Sequence, residues 1–318
     1  MFLKRHEQIS RIKLALYYLV FITTMIISQG ACFVSNAFAD DPKGEETHYP
    51  PAAFDWRDFN GCNYVTSIKN QGATTCASCV SFGVIATIES IVRIQSKVPV
   101  SCKDNRENGG QNIVDDLSEA QLFFCNRKSC NDAWYLIGAG GLGGGAMDFC
   151  KQYGVVPESF CPSYGEILKS CEIRGEQPCK PEVLNSNYCC CTGYENRAVK
   201  IADYKKIQKE KPQDKEMKNI KSWISSTGPV IASMYADQAF LDYKGGVCKC
   251  ESEQPANHYV SCIGYDDSRG AWLCKNSFGT DWGEDGYFWI GYGECGIDNN
   301  MFGITRIIYS GSPSAEKN

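Results

Sequence analysis

The sequence predicts an α+β protein with a helix-rich first half and a β-rich second half, and three observations carry that expectation. Before about residue 165, apolar residues recur at helical spacing. After about residue 200, short apolar or alternating runs are separated by Gly, Asp and Ser turns. The chain has 318 residues, 43% hydrophobic and 22% charged, enough for a sizeable core and about two typical domains, with no visible repeat.

Residues 1–39 read as an export signal. Lys4, Arg5, Arg11 and Lys13 precede an uncharged stretch from Leu14 to Ala39, and Ala37-Phe38-Ala39 sets a cut before Asp40. Two rival readings are a retained membrane anchor, since the stretch is long enough to span, and a lipoprotein signal at Cys32, which Gln29 disfavours. All three export the remainder, because the basic flank stays inside. Residues 40–53 are a short polar linker, with no room for a folded prosegment.

The folded body is expected over 54–318. From Cys79 to Ile94, apolar residues at 80, 82, 84, 85, 88, 91, 92 and 94 predict a buried helix. LSEAQLFFC (117–125) predicts another, capped by Ser118. GAGGLGGGAM (138–147) demands a tightly turned or closely approached backbone. Residues 161–191 hold six cysteines and read as a disulfide-stapled loop between a helical lobe (about 54–165) and a β lobe (about 200–310). In the latter, 229–234, 258–265, 271–276, 287–292 and 304–310 are expected strands. Cys262 and Cys274 lie equidistant from a turn at Ser268 and are expected to face each other across a hairpin, as two buried thiols or, less favoured, as a strained bridge.

Composition excludes several functions. A pI near 5.4 argues against nucleic acid as a partner; without 1–39 the chain carries 28 Lys and Arg against 36 Asp and Glu, a charge of −8. The glycine-rich stretch lacks the strand, helix and Lys-Ser/Thr ending of a phosphate loop. Cys189-Cys190-Cys191 and Cys248-Lys249-Cys250 lack zinc-ribbon spacing, so no metal or cofactor is expected. Eighteen cysteines in an exported chain favour disulfides instead.

The chain has three histidines, and only His48 and His258 remain after 1–39. An imidazole base in the folded body must therefore be His258, at the head of a predicted strand. Its nucleophile would be Cys, Ser or Thr. Cys79 stands out because it opens a buried helix whose amide dipoles favour a thiolate.

With these residues in view, the chain resembles the papain-like cysteine peptidases. NQGATTCASCVSF resembles the nucleophile region of that family, ANHYVSCIGYD its histidine strand, and CKNSFGTDWGEDGYFWI its asparagine segment. FDWRD, DLSEAQLFFC and GPVIASM resemble further family segments, in family order from about 54 to 297. The resemblance implies a two-lobed fold with a helical N-terminal lobe and an antiparallel, β-barrel-like C-terminal lobe.

It further implies a Cys79 nucleophile paired as thiolate with a His258 imidazolium, Asn276 as orienter of the imidazole, and Gln71 as oxyanion donor. Gly144 and Gly145 would hold an extended substrate. Ala146, Met147, Ser233, Tyr259 and Asn300 would shape a pocket for the side chain two residues before the cut, with a restricted apolar preference. Trp282 would pack near Gln71 and Asn276, and Phe278 would shield the His258–Asn276 bond. The family pattern suggests bridges Cys125–Cys171 and Cys250–Cys295, and cathepsin B-like members suggest Cys62–Cys102.

The implied function is an exported cysteine endopeptidase acting on peptides or proteins through an acyl-enzyme, with a separate protein inhibitor or redox as its control. A membrane is a partner only if the leader is retained. The chain departs from the family at Val80 and Phe278, where Trp is usual, at Tyr259, where a small residue is usual, and by two extra residues between Gln71 and Cys79. Two alternatives follow: a catalytically silent peptide-binding homologue, and a cysteine-dependent acyl transferase.

Overall fold

The computed structural model describes residues 49–72, 78–104, 116–126, 145–160, 196–207, 213–250 and 254–309. The export segment and the Cys-rich loop lie outside these residues. In chain order the elements are β1 (Ala53–Asp55), β2 (Cys62–Asn63), α1 (Cys79–Ser96), β3 (Ser101–Cys102), a π-helical turn (Gln121–Cys125), α2 (Ala146–Gln152), β4 (Val199–Ile201) and β5 (Tyr204–Lys206). There follow α3 (Gln213–Ser226), β6 (Val230–Met234), α4 (Gln238–Leu241), β7 (Val247–Cys248), β8 (His258–Asp266), β9 (Ala271–Lys275), β10 (Tyr287–Gly291), β11 (Met301–Ile304) and β12 (Ile307–Tyr309).

Helix α1 forms where the apolar periodicity predicts it. Ile85, Ile88 and Ile91 are completely buried, each stabilising the fold by roughly 1.5–3 kcal/mol relative to exposure. The helix is apolar enough to cross a membrane by composition, but 83% of it is buried within the protein. It closes on Lys97 in the left-handed region (φ 57°), with Val98 N–H bonded to Arg93 O at 3.0 Å. The predicted cap at Ser118 is also present, its Oγ accepting from Gln121 N–H at 3.0 Å.

Among the described residues, eight strands form one sheet in the order β5-β11-β6-β8-β9-β10-β7, with β1 also on β8. All pairs are antiparallel except β10 with β7. Strand β8 spans two neighbours: His258–Cys262 pair with β6, while Gly264–Asp266 pair with β1. Cys262 and Cys274 are cross-strand partners as expected, both buried thiols. The bridges Cys62–Cys102 and Cys250–Cys295 are present; Cys171, the expected partner of Cys125, lies outside the described residues.

Three elements depart from the sequence expectation. The run 304–310 is two strands: β11 joins the main sheet, whereas β12 pairs with β4 beside α1. The break falls at Thr305, whose N–H and Oγ1 both bond Asp203 O at 2.9 Å. Helix α3 lies in the half expected to be β-rich; Met217, Ile220, Trp223 and Ile224 carry its apolar stripe, and Ile220 and Ile224 are completely buried. Finally, β1, expected in the helical lobe, pairs with β8. Two cores result, one around α1, α2, β4 and β12 and one around the main sheet.

Candidate active site

Cys79 opens α1, where the first-turn N–H groups have no partner within the helix. The helix lies along β8 through positions 79, 83 and 87, four residues apart on one face. A methyl group at Gly83 would touch the backbone of Tyr259 and Val260 at 3.4 Å, and Thr87 Oγ1 is 2.8 Å from Ser261 Oγ. This stripe sets Cys79 at the head of β8, where the backbone N–H of Tyr259 donates to its sulfur. Burial nevertheless dominates and pushes the Cys79 thiol up to about 11, against the backbone donors of Tyr259, Val80 and Cys79 itself.

His258 is the first residue of β8, and Asn276 follows the last residue of β9. Their hairpin pairing brings His258 Nε2 to 2.8 Å from Asn276 Oδ1. The same Oδ1 accepts from Ser277 N–H at 2.9 Å. An oxygen already receiving an N–H is an acceptor, so Nε2 carries the proton and Nδ1 keeps its lone pair. The Phe278 ring lies 4.9 Å from the imidazole at 32°, Trp282 stands edge-on to Phe278 at 5.4 Å, and Phe240 is 5.8 Å from the imidazole. Burial among these rings lowers His258 to about 4, while the Asn276 bond acts in the opposite direction.

Gln71 is held against the same segment. Its N–H donates to Ser277 O at 2.9 Å, and its Oε1 accepts from Ser277 Oγ at 2.6 Å. The amide nitrogen is the part of that side chain not engaged by Ser277. Asn70 bridges Phe278, and Gly279 N–H bonds Lys69 O at 3.2 Å, so 69–71 runs antiparallel to 277–279. The residues 73–77 between Gln71 and Cys79 lie outside the described residues.

The expected pocket residues fall into two groups. Ser233 and Tyr259 are cross-strand partners, and Ser233 N–H bonds Asn300 O at 3.1 Å. Asn300 Oδ1 in turn accepts from Lys206 Nζ at 2.7 Å. Ala146 and Met147 are completely buried in the helical core, against which Tyr259 packs. Gly145 precedes α2, its N–H bonded to Asp148 Oδ2 at 3.1 Å; Gly144 lies outside the described residues. Trp282 Nε1 bonds Leu241 O at 2.8 Å, and its ring packs on Phe240, Tyr243 and Phe288. No group of His, Cys, Asp and Glu is placed to hold a metal among the described residues.

Sequence reasoning missed Phe240 and the 79-83-87 stripe. A signal for the stripe existed: Gly83 and Thr87 are weak helix formers inside a long buried helix, which marks close approach. Phe240 gave none, because its short helix is fixed by Asp237, whose Oδ1 accepts the Phe240 N–H at 2.9 Å.

A family model described as papain family cysteine protease matches residues 50–305, most of the chain. The chain belongs to the papain family of cysteine proteases. Its α+β architecture is papain-like, and the class is that of cysteine-type peptidases. Cysteine proteinase 2 of Entamoeba histolytica is 30% identical over 268 residues, covering 81% of this chain and 70% of that protein. A viral cathepsin of Lymantria dispar multicapsid nuclear polyhedrosis virus is 29% identical over 258 residues, 79% of this chain, and the match spans 58% of the viral protein's length. Among solved structures, bromelain protease from Ananas comosus in complex with the E64 inhibitor superposes with a TM-score of 0.53 at 26% identity, covering 80% of this chain and 99% of bromelain.

Proposed function

We propose that this papain-family chain is an exported cysteine endopeptidase with Cys79 as nucleophile and His258 as base. One observation carries the reading: His258 Nε2–H is committed to Asn276 Oδ1 at 2.8 Å, which aims a bare Nδ1 from the head of the strand whose next N–H reaches the Cys79 sulfur. Burial acts against the charged form of each, raising the Cys79 thiol and lowering the His258 imidazole. The proton passes from sulfur to Nδ1, and the thiolate forms the sulfur–carbon bond with the peptide carbonyl.

The carbonyl oxygen becomes an oxyanion, which Gln71 Nε2 and the Cys79 backbone N–H stabilise. Collapse breaks the carbon–nitrogen bond, and His258 returns its proton to the leaving amine. Water then hydrolyses the thioester. Gly145, Ser233, Tyr259 and Asn300 contact the substrate, while the buried Ala146 and Met147 back the pocket. The basic-then-apolar leader supports export, and the bridges Cys62–Cys102 and Cys250–Cys295 suit an oxidising space.

Labelling with an epoxysuccinyl peptide under mild reduction tests the assignment. One adduct on Cys79, absent from Cys79→Ala, is expected together with cleavage of a peptide library. A folded protein that takes no adduct would overturn it.

A further inference from the structure

Behind the His258–Asn276 pair lies a charge cluster, buried at Glu89, Glu119 and Lys275, that the reaction above does not use. Lys69 Nζ pairs with Asp116 at 2.7 Å, Glu119 at 2.9 Å, Glu158 at 3.3 Å and Glu89 at 3.5 Å. Glu89, on α1, accepts from Thr66 Oγ1 at 2.6 Å and from Leu117 N–H at 2.9 Å. Lys275, the chain neighbour of Asn276, donates to Thr66 O at 2.9 Å and Thr66 Oγ1 at 3.0 Å. Four carboxylates thus face two ammonium groups.

Between this cluster and Asn276 is a cavity of about 10 Å³, lined among others by Glu89, Glu119, Lys69, Lys275, Asn276 and Ser277. That is close to the volume one water occupies. Asn276 is 3% exposed, and its Oδ1 is taken by His258 and Ser277. Its Nδ2 is buried and meets no acceptor among the described residues. A buried amide donor demands an acceptor, and the oxygens at hand on the other wall are carboxylates, each able to accept two hydrogen bonds.

We propose that one water in this cavity accepts from Asn276 Nδ2 and donates to the carboxylates of Glu89 and Glu119, which makes the two glutamates positioning residues for the His258–Asn276 pair. The inference deepens the function proposed above and rests on its assignment of that pair. It ties Asn276 to the helix that carries Cys79, since Glu89 is on α1. It also links the imidazole to a titrating group: burial raises Glu119 to about 8, with Lys69 opposing and Glu89 adding to the shift. Asp116, Glu158 and Lys275 complete the charges facing it. As Glu119 ionises, the added negative charge favours the imidazolium, so His258 becomes more basic above about pH 8.

Two measurements test this without reference to peptide cleavage. A high-resolution crystal structure of the full chain should show one ordered water within about 3 Å of Asn276 Nδ2 and of a Glu89 or Glu119 oxygen; a dry cavity overturns the proposal. Imidazole NMR is tractable because the chain has only three histidines, so His258→Gln assigns the resonance. The His258 shift should inflect near pH 8 and lose that inflection in Glu119→Gln; an inflection that persists in the folded variant overturns the proposal. If Glu119→Gln does not fold, Ala86→Val, which fills the cavity without altering charge, should expel the ordered water and weaken the inflection, and an inflection of unchanged size counts equally against the water. In either variant kcat should fall about two- to tenfold at unchanged KM, the worth of one hydrogen bond. Failure of the wild type to take an epoxysuccinyl label would instead strike the proposed function and leave the water and the inflection standing.

Discussion

Thr87 Oγ1 on α1 and Ser261 Oγ on β8 are 2.8 Å apart in the buried seam between helix and sheet. Thr87 Oγ1 also lies 2.9 Å from Gly83 O, so the seam is hydrogen-bonded along the same helix face that carries Cys79. Thr87→Val should leave Ser261 without its partner and cost about 1–3 kcal/mol. Adding Ser261→Ala should recover part of that loss, so that urea denaturation of the two single variants and the double variant gives a sub-additive cycle. Strict additivity would mean that the two hydroxyls do not form the seam.

Gln71 owes its orientation to Ser277, which bonds both its N–H and its Oε1. Gln71→Ala should therefore lower kcat by about 10²–10³, the worth of one oxyanion donor, with little change in KM. Ser277→Ala should give a smaller loss of the same kind, because the amide remains but is free to rotate. Steady-state kinetics on one cleaved peptide separate the two, and a KM effect alone in Gln71→Ala would contradict the role.

The lowered His258 makes stability depend on pH. Unfolded, the imidazole titrates near 6.5; folded, near 4. Between those values the unfolded chain binds more protons, so stability is fully present above about 6.5 and is lost as pH falls towards 4. The loss is about 3 kcal/mol. Urea midpoints at pH 7, 5 and 4 for wild type and His258→Gln should converge as the pH falls. Parallel curves would show that His258 is not buried neutral.

Cys79 provides the complementary reading. A thiol raised to about 11 should alkylate with iodoacetamide at a rate that rises about tenfold per pH unit from 7 to 10. A plateau already reached at pH 5 would mean that the resting pair is ionised.

Much of the site was legible in the residues. With so few histidines, His258 is the one candidate for an imidazole base in 54–318, and the strings around Cys79, Asn276 and Gln71 carry the family likeness, which the match over 50–305 shows. The bridges Cys62–Cys102 and Cys250–Cys295, suggested by that likeness, form as expected. Helix α1 and strands β6, β8, β9 and β10 were also legible, because periods of 3.6 and 2 are local signals. Helix α3 was overlooked because Lys and Glu dilute an apolar stripe that is nonetheless present.

The sequence by itself therefore determined the family, the candidate side chains for the chemistry, and the helices and strands whose periodicity is strong. Tertiary structure alone decided that the two ends change places: β1 at residues 53–55 pairs with β8, while β12 at 307–309 pairs with β4 beside α1. It also decided that Gly83 brings α1 against β8 and that burial acts against charge on both the cysteine and the histidine. The reason is range. Periodicity and capping report contacts within one or two helical turns, whereas strand partners one to two hundred residues apart, and the water excluded between them, are fixed only when the two cores pack.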